Sequence, residues 1–356
     1  MLTCEDLFTH ASKVIFATDN DPNGRRLADD MIGRIGGGKC WRVTWPEDCK
    51  DANDVLMKHG AAYLADMIDH ATPEPVEGVH DGGTMRDTML HIFRHGREKG
   101  WDFGYPVFDK HYTVSPGYMT IVTGHAGHGK STALDQLLVR LAQRHGIHIT
   151  MYSPEQRPFD FHQQVLIEQY TGMPFTDGPN MRMSEAEMLK ANEWIAQHFS
   201  FIAPEEPTVD TILELIRVQV YRTGAKGVVI DPWNELEHSR PSNLSETEYV
   251  SAVLAKIRRF AEYHKLHLWL VAHPTKMQRA ADGSEQVPGL QDVSGSANFR
   301  NKADFGLTVY RDSSINGSAV DILVTKSKRI DLAKIGRVQF QWNPVNKRLT
   351  EVGVVS

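Results

Sequence analysis

The sequence predicts an α/β fold: a mostly parallel sheet with helices on both faces, continued at its C-terminal side by antiparallel strands. Three observations predict it. From Gly117 onward, apolar runs of strand length alternate with amphipathic helical stretches, the grammar of a parallel sheet covered on both sides. A glycine-rich pattern at residues 124–131 falls between the first of these strands and its helix. After Asp304 the alternation stops and strand signals follow one another.

In chain order, residues 1–70 read as strand Lys13–Thr18, helix Arg25–Ile35, strand Cys40–Trp45 and helix Ala52–His59, with Gly36-Gly37-Gly38 stopping the first helix. Residues 71–100 read as a Pro/Gly-rich linker and then a helix that Thr84 caps and that runs to about Lys99. Its Met85, Met89, Ile92 and Phe93 form an apolar stripe that could dock on its own domain or on a neighbouring subunit. Residues 101–356 form the third segment. Strand Tyr118–Thr123 leads through the glycine-rich loop into a helix ending near His145, then strand Ile147–Tyr152. Ser184 with Glu187, and Ser245 with Glu248, make capping boxes that open two helices. Strands Gly227–Ile230 and Leu266–Ala272 each follow a helix. The closing set is Gly306–Arg311, Val320–Lys326, Val338–Trp342 and Leu349–Val352.

The chain has 356 residues, 41% apolar and 24% charged, which supports a large buried core and excludes wholesale disorder. No apolar run is long enough for a membrane span, and Met1–His10 lacks the basic-then-apolar pattern of a signal peptide. Cys4, Cys40 and Cys49 match no zinc spacing, and an odd count argues against a disulfide framework, so a reducing cytoplasm is expected. Net charge is −6, all of it within residues 1–80. Residues 300–348 carry ten Lys/Arg against four Asp, a local basic stripe compatible with a polyanion groove.

Residues 124–131 fit G-x-x-x-x-G-K-[ST]. Gly124, Ala126, Gly127, His128 and Gly129 would curl backbone N–H groups around phosphate, with Lys130 reaching the β/γ-phosphates. Ser131 would coordinate Mg²⁺, and Thr132 continues the loop into the helix. Val228-Val229-Ile230-Asp231 is an apolar strand ending in an acid, which supports the Mg²⁺ shell. Glu155 follows the strand next in sequence to the phosphate loop; that strand end is expected beside the loop, where a carboxylate orients the attacking water. His273 ends a later strand and could sense the γ-phosphate. The polar stretch Gln291–Arg300, with Ser294, Gly295, Asn298 and Arg300, could be a pore-facing loop that touches DNA. Lys326, Lys328, Arg329, Lys334 and Arg337 form the densest basic run, either a protected strand edge or a phosphate finger. Asp19 and Asp21, two carboxylates beyond a strand, could hold Mg²⁺.

Together these pieces resemble the DnaB-like replicative hexameric helicases, nearest to phage primase–helicases and the Twinkle type. The carriers are Ile121–Thr132, Tyr152–Gln156, Gly227–His238, Leu270–Lys276, Ser294–Val309 and Leu323–Gly336. The resemblance implies a RecA-like P-loop core using ATP and Mg²⁺. It gives Lys130 and Ser131 to the nucleotide and Mg²⁺, Glu155 the role of base, Asp231 the metal and His273 the γ-phosphate. It also implies an arginine finger from the adjacent subunit at a Lys-x-Arg run. That run here reads Lys326-Ser327-Lys328 with Arg329 next, so the finger is Lys328 or Arg329; a planar guanidinium is the better phosphate clamp. Residues 13–60 resemble the second half of a TOPRIM domain through Ala17–Gly24 and Cys49–Leu56. The Glu-bearing strand that TOPRIM catalysis uses is not read ahead of Lys13, so the unit is expected to be partial or degenerate, without primer synthesis.

The resemblance further implies a ring, a hexamer, moving 5′→3′ on single-stranded DNA at a replication fork in a bacterial or phage-infected cell, with primase and polymerase as partners. Two other functions use the same core: a recombinase-type filament ATPase, and a ring scaffold or loader whose ATP site only stabilises assembly.

Overall fold

Asp21 and Pro22 open the first helix of the fold. In the computed structural model, which describes residues 8, 10–76, 78–79, 82–275, 277, 285–293, 296–311 and 318–354, Asp21 caps helix α1, Pro22–Ile35, by accepting the Gly24 amide at 2.8 Å. Pro22 takes the first helical turn, where its missing N–H costs nothing. The helix therefore starts three residues before the sequence-predicted Arg25. The chain divides into two units, Met1–Arg97 and Glu98–Ser356.

In the first unit β1, Val14–Phe16, and β2, Cys40–Arg42, pair in parallel through α1, and β3, Thr72–Pro73, adds antiparallel to β2. Helix α2 spans Ala52–His59 as predicted, capped by Asp51. Helix α3, Ala61–Asp69, and strand β3 lie where the sequence shows only the approach to a linker. Helix α4 is Arg86–His95, shorter than predicted. Met85 occupies its cap position and makes no side-chain capping bond, so the predicted cap at Thr84 is corrected. Gly96 at positive φ ends it. Met89 and Phe93 of the apolar stripe are exposed.

The second unit holds one nine-stranded sheet. Its strands are β4 Tyr118–Thr123, β5 Ile149–Tyr152, β6 Phe199–Phe201, β7 Gly227–Ile230 and β8 His267–Val271, followed by β9 Phe305–Tyr310, β10 Ala319–Ser327, β11 Gly336–Trp342 and β12 Leu349–Val354. The order across the sheet is β12-β11-β10-β9-β4-β8-β7-β5-β6. Pairs from β9 to β6 are parallel, and β9 through β12 pair antiparallel. The predicted architecture, parallel with an antiparallel C-terminal edge, is what forms.

The central strands are buried on both faces, and their side chains alternate between two apolar layers. Val122, Ile149, Met151, Val229 and Val271 face one layer, filled by Leu134, Leu138 and Leu141 of α5, Lys130–His145. Helices α6, Phe159–Thr171, and α7, Glu185–His198, complete it. Met119, Ile121, Val228, Ile230 and Leu268 face the other layer. It is filled by Ile212 and Ile216 of α8, Val209–Thr223, and by Leu254 and Ile257 of α9, Glu246–Tyr263. Both predicted capping boxes are present, at the starts of α7 and α9. Helix α10, Ser296–Lys302, precedes β9. Buried His267 bonds Thr120 Oγ1 at 2.8 Å, and burial pushes its pKa down to about 4, so it is a neutral structural group. Among the described residues, no helix is long and apolar enough to cross a membrane.

Candidate active site

The site is built at the C-terminal ends of β4, β7 and β8, where the sheet order reverses and an open α/β sheet places its ligand crevice. β4 is the pivot, with β8 on one side and β9 on the other. Gly124 leaves β4 at φ 147°, and a Cβ there would lie 2.2 Å from the Val309 carbonyl oxygen, so only glycine lets the loop pass β9. Gly129 caps α5 in the left-handed conformation, at the helix N-terminus where an anion is favoured. Thus Gly124–Thr132 has the strand–loop–helix form that cradles phosphate.

Lys130 is the first residue of α5 and is 6% exposed. Its ammonium donates to the His125 carbonyl at 3.1 Å. Burial lowers its pKa, and the carboxylates of Asp231 and Glu155 work the other way. Asp231, at the end of β7, is 3% exposed. Burial pushes its pKa up to about 6; a hydrogen bond from the Ser131 hydroxyl opposes the rise, and the nearby Asp135 and Glu155 charges add to it. A buried carboxylate bonded to the phosphate-loop hydroxyl is a donor set that suits a hard divalent cation, whose charge would relieve that cost. The residues present therefore fit Mg²⁺ with a nucleotide.

Glu155 arrives by a different route from the one expected. β5 is not next to β4: β8 and β7 lie between them, placing it about 14 Å away at ordinary strand spacing. The one-turn 3₁₀ segment Pro154–Gln156 after β5 carries Glu155 back, and its Oε1 lies 3.6 Å from Nε2 of His273. His273 follows β8, the immediate neighbour of β4. Burial, then the Lys130 charge, lowers its pKa, against the raising effect of Glu155. The structure thus brings Lys130, Ser131, Asp231, Glu155 and His273 to one rim of the sheet.

Sequence reasoning missed Asn234. It sits in the turn Trp233–Glu235 that follows β7, and its Oδ1 accepts the His273 amide at 3.3 Å. It therefore links the ends of β7 and β8 and orients the backbone that carries His273. No sequence signal marks a lone Asn in such a turn. The phosphate-loop histidines also do more than their spacing shows. His128 Nδ1 accepts the Arg311 amide at 3.1 Å, and His125 Nε2 meets the Gln286 carbonyl at 2.8 Å, tying the loop to the residue after β9 and to the segment before it.

The remaining candidates lie elsewhere. Ser294 and Gly295 lie outside the described residues. Asn298 donates to the Thr247 carbonyl at 2.7 Å, pinning α10 to the first turn of α9, while Arg300 is exposed. Lys328 and Arg329 follow β10, which runs antiparallel to β9, so they sit at the start of β4. Arg329 bonds Tyr118 Oη, the first residue of β4, and both Asp331 carboxylate oxygens, at 2.8 and 2.5 Å. Lys328 donates to Asp304 at 3.2 Å. Asp304, 1% exposed, also accepts the Met119 amide at 3.0 Å and pairs with Arg258. In the first unit, Lys50 Nζ lies 3.5 Å from Asp19 and 3.8 Å from Asp21. The Gly24 amide, first among several causes, holds the Asp21 carboxyl below its usual range.

Residues 100–351 match the family described as DnaB-like helicase C terminal domain. The Twinkle homolog protein, chloroplastic/mitochondrial, of Arabidopsis thaliana is 36% identical over 349 residues, 94% of this chain and 49% of that protein. The primase homolog protein of Arabidopsis thaliana is 40% identical over 79 residues, 21% of this chain and 23% of that protein. The chain thus spans about half the length of the Twinkle homolog, or 49%. Among solved structures, one described as an ATPase domain superposes with a TM-score of 0.64 at 16% identity, covering 76% of this chain and all of that one (100%). A DnaB-like replicative helicase, described with its interactions with primase, gives 0.61 at 14% identity, over 84% of this chain and 73% of that one. At such identities the likeness is one of fold: a RecA-like P-loop core.

Proposed function

This chain belongs to the DnaB-like helicase family, and we propose on that premise that it is an ATP-driven DNA helicase working as a ring. The observation that carries the reading is the convergence of Lys130, Ser131, Asp231, Glu155 and His273 on one rim of the sheet, while the finger candidates stand at its opposite end.

The chain's own groups divide the work. Backbone amides of Gly124–Ser131 and the Lys130 ammonium hold the phosphates, once Lys130 leaves the His125 carbonyl. Ser131 and Asp231 would hold Mg²⁺, which when bound compensates phosphate charge. Glu155 orients water toward the γ-phosphate and accepts its proton. His273, neutral because it is partly buried and beside Lys130, can donate a hydrogen bond to the γ-phosphate and accept one from Glu155 when that acid is protonated. This pair couples the state of the phosphate to the end of β8 and, through Asn234, to the end of β7.

A strand of six residues separates Tyr118 from Gly124, about 20 Å at 3.3 Å per residue. Arg329 bonds Tyr118 and so cannot reach its own phosphate loop; it supports a site shared head-to-tail between copies, the kind of interface that builds a ring when its rotation closes and a helical filament when it does not. A hexamer, 5′→3′ movement and single-stranded DNA as track belong to the same proposal, as does a primase partner. DNA contacts mainly to phosphate would make binding strongly salt-dependent. The Asp19/Asp21 pair as a second Mg²⁺ site requires displacing Lys50. The cytoplasmic address is one aqueous compartment for such an enzyme; the Arabidopsis relative is named chloroplastic/mitochondrial.

The test is displacement of a labelled strand from a forked duplex. The proposal expects ATP-dependent displacement that requires a 5′ single-stranded tail and vanishes in Lys130→Ala. Strand exchange between homologous DNAs without unwinding would favour the filament reading instead.

A further inference from the structure

Outside the nucleotide site, one cluster of metal-ligating side chains stands out among the described residues. Asp48, Cys49 and His59 of the first unit each present a donor atom, and the three atoms lie within 4.8 Å of one another. Cys49 Sγ is 3.7 Å from Asp48 Oδ1, and His59 Nε2 is 3.9 Å from Asp48 Oδ2. Donors around a tetrahedral Zn²⁺, with bonds of about 2.0–2.3 Å, stand about 3.3–3.8 Å apart. Asp48 therefore stands close to ligating separation from both Cys49 and His59, through one carboxylate oxygen to each, and the third pair lies within 4.8 Å.

The local fold holds them there. The Cys49 amide bonds the Pro46 carbonyl at 3.0 Å, making a tight turn, and the Cys49 side chain is buried against Val43, Trp45 and Val55. Asp51 caps α2, and Val55 anchors that helix in the same core, so His59 at its last turn returns over Cys49. Cysteine spacing alone could not show this, because two of the three donors are not cysteines.

We propose that Asp48, Cys49 and His59 form a binding site for a zinc-like divalent cation, with the fourth corner open to water. A sulfur, an imidazole nitrogen and a carboxylate oxygen suit Zn²⁺ better than the oxygen-seeking Mg²⁺ or Ca²⁺. Thiolate and carboxylate together bring two negative charges, which balance the cation. Binding releases the Cys49 proton, since only the thiolate ligates. The competitor is Lys58, whose ammonium bonds the Asp48 backbone carbonyl and lies 3.6 Å from Asp48 Oδ2. Lys58 is half-exposed and swings into solvent when the cation takes its place. Bound metal would then staple the Pro46–Lys50 turn to the end of α2.

The test is Co²⁺ titration of the full chain after chelation and dialysis, read as the thiolate-to-cobalt charge-transfer absorption and the visible bands of tetrahedral cobalt. The proposal expects one equivalent of Co²⁺, displaced by Zn²⁺. Cys49→Ser and His59→Gln should each weaken binding by about 100-fold or more, beyond what outer-shell changes do. Lys58→Met should tighten it, while Cys40→Ser and Lys130→Ala leave it unchanged. Circular dichroism checks that each variant is folded; His59 sits at a helix end, so His59→Gln carries the test if Cys49→Ser does not fold. A folded wild-type chain without the charge-transfer band overturns the proposal, as does a band that survives Cys49→Ser or Co²⁺ affinity that is unchanged in His59→Gln.

Discussion

Removing the side chain of Arg329 should abolish turnover while sparing both nucleotide binding and the fold, and the resting partners of Arg329 and Lys328 give the reason for expecting this of Arg329 rather than Lys328. A finger must leave its resting partners to meet a neighbour's γ-phosphate. Arg329 rests on Asp331, both about one-third exposed (32% and 35%), an ion pair of the kind worth about 0–1 kcal/mol, and also on the Tyr118 hydroxyl. Lys328 rests on Asp304, which is 1% exposed. Withdrawing a charged partner from a buried acceptor costs about 1–3 kcal/mol. Arg329 leaves behind no buried acid, and its planar fork suits phosphate. Arg329→Ala should lower kcat by on the order of 10³ or more, with ATP affinity within about twofold. Lys328→Ala should instead lower thermal stability, because the buried Asp304 loses one of the cations that face it and is left with Arg258 and the Met119 amide. The assay is steady-state ATP hydrolysis with a fluorescent-nucleotide binding curve. Mixing decides the shared-site claim: Arg329→Ala keeps its phosphate loop, and Lys130→Ala keeps its finger. Mixed rings should regain hydrolysis at interfaces joining an intact loop to an intact finger. Mixed rings that recover none would refute the reasoning, and so would a tenfold loss of ATP affinity in Arg329→Ala.

Three further outcomes follow from the same geometry. Lys130→Ala should reduce ATP hydrolysis by about 10²-fold or more, since it removes the side-chain cation fixed within the cradle; the check is phosphate release. Glu155→Gln should bind ATP and assemble normally but hydrolyse about 10²–10⁴-fold more slowly, because an amide cannot take the proton; single-turnover kinetics measures this. Asp231 has its free-enzyme pKa raised to about 6, so it is ionised above that pH and protonated below it; kcat/KM for MgATP should fall as pH drops through about 6, read from a pH–rate profile at fixed ionic strength.

The nucleotide site was legible in the sequence to the degree that its chemistry is local. A phosphate loop needs its glycines and lysine at fixed spacing, and Gly124–Ser131 carries them within one turn of chain. Asp231 was legible because a buried parallel strand ends on it. The position of Glu155 was harder. Sequence order suggested a strand end beside the phosphate loop, whereas β7 and β8, which come later in the chain, insert between β5 and β4. Long-range insertion of that kind leaves no local trace. Asp19 and Asp21 show a pattern that two structures share. An acid ahead of Pro22 reads as a metal turn or as a helix cap, and the Gly24 amide shows that Asp21 serves as the cap. The Asp304 hub was invisible for a third reason: it joins Met119, Arg258 and Lys328 from three separate elements, and nothing in the run Lys302–Phe305 announces a buried acid. The edge strand β6, three residues long, has too few side chains to show a period.

The central claim is that this site drives a closed ring along single-stranded DNA. The most direct measurement is ATP hydrolysis by the chain with and without single-stranded DNA, with electron microscopy of the same sample in the presence of a slowly hydrolysed ATP analogue. The account predicts hydrolysis stimulated severalfold by single-stranded DNA and closed rings with DNA through the pore. Open helical filaments, or rings whose hydrolysis does not respond to DNA, would contradict it.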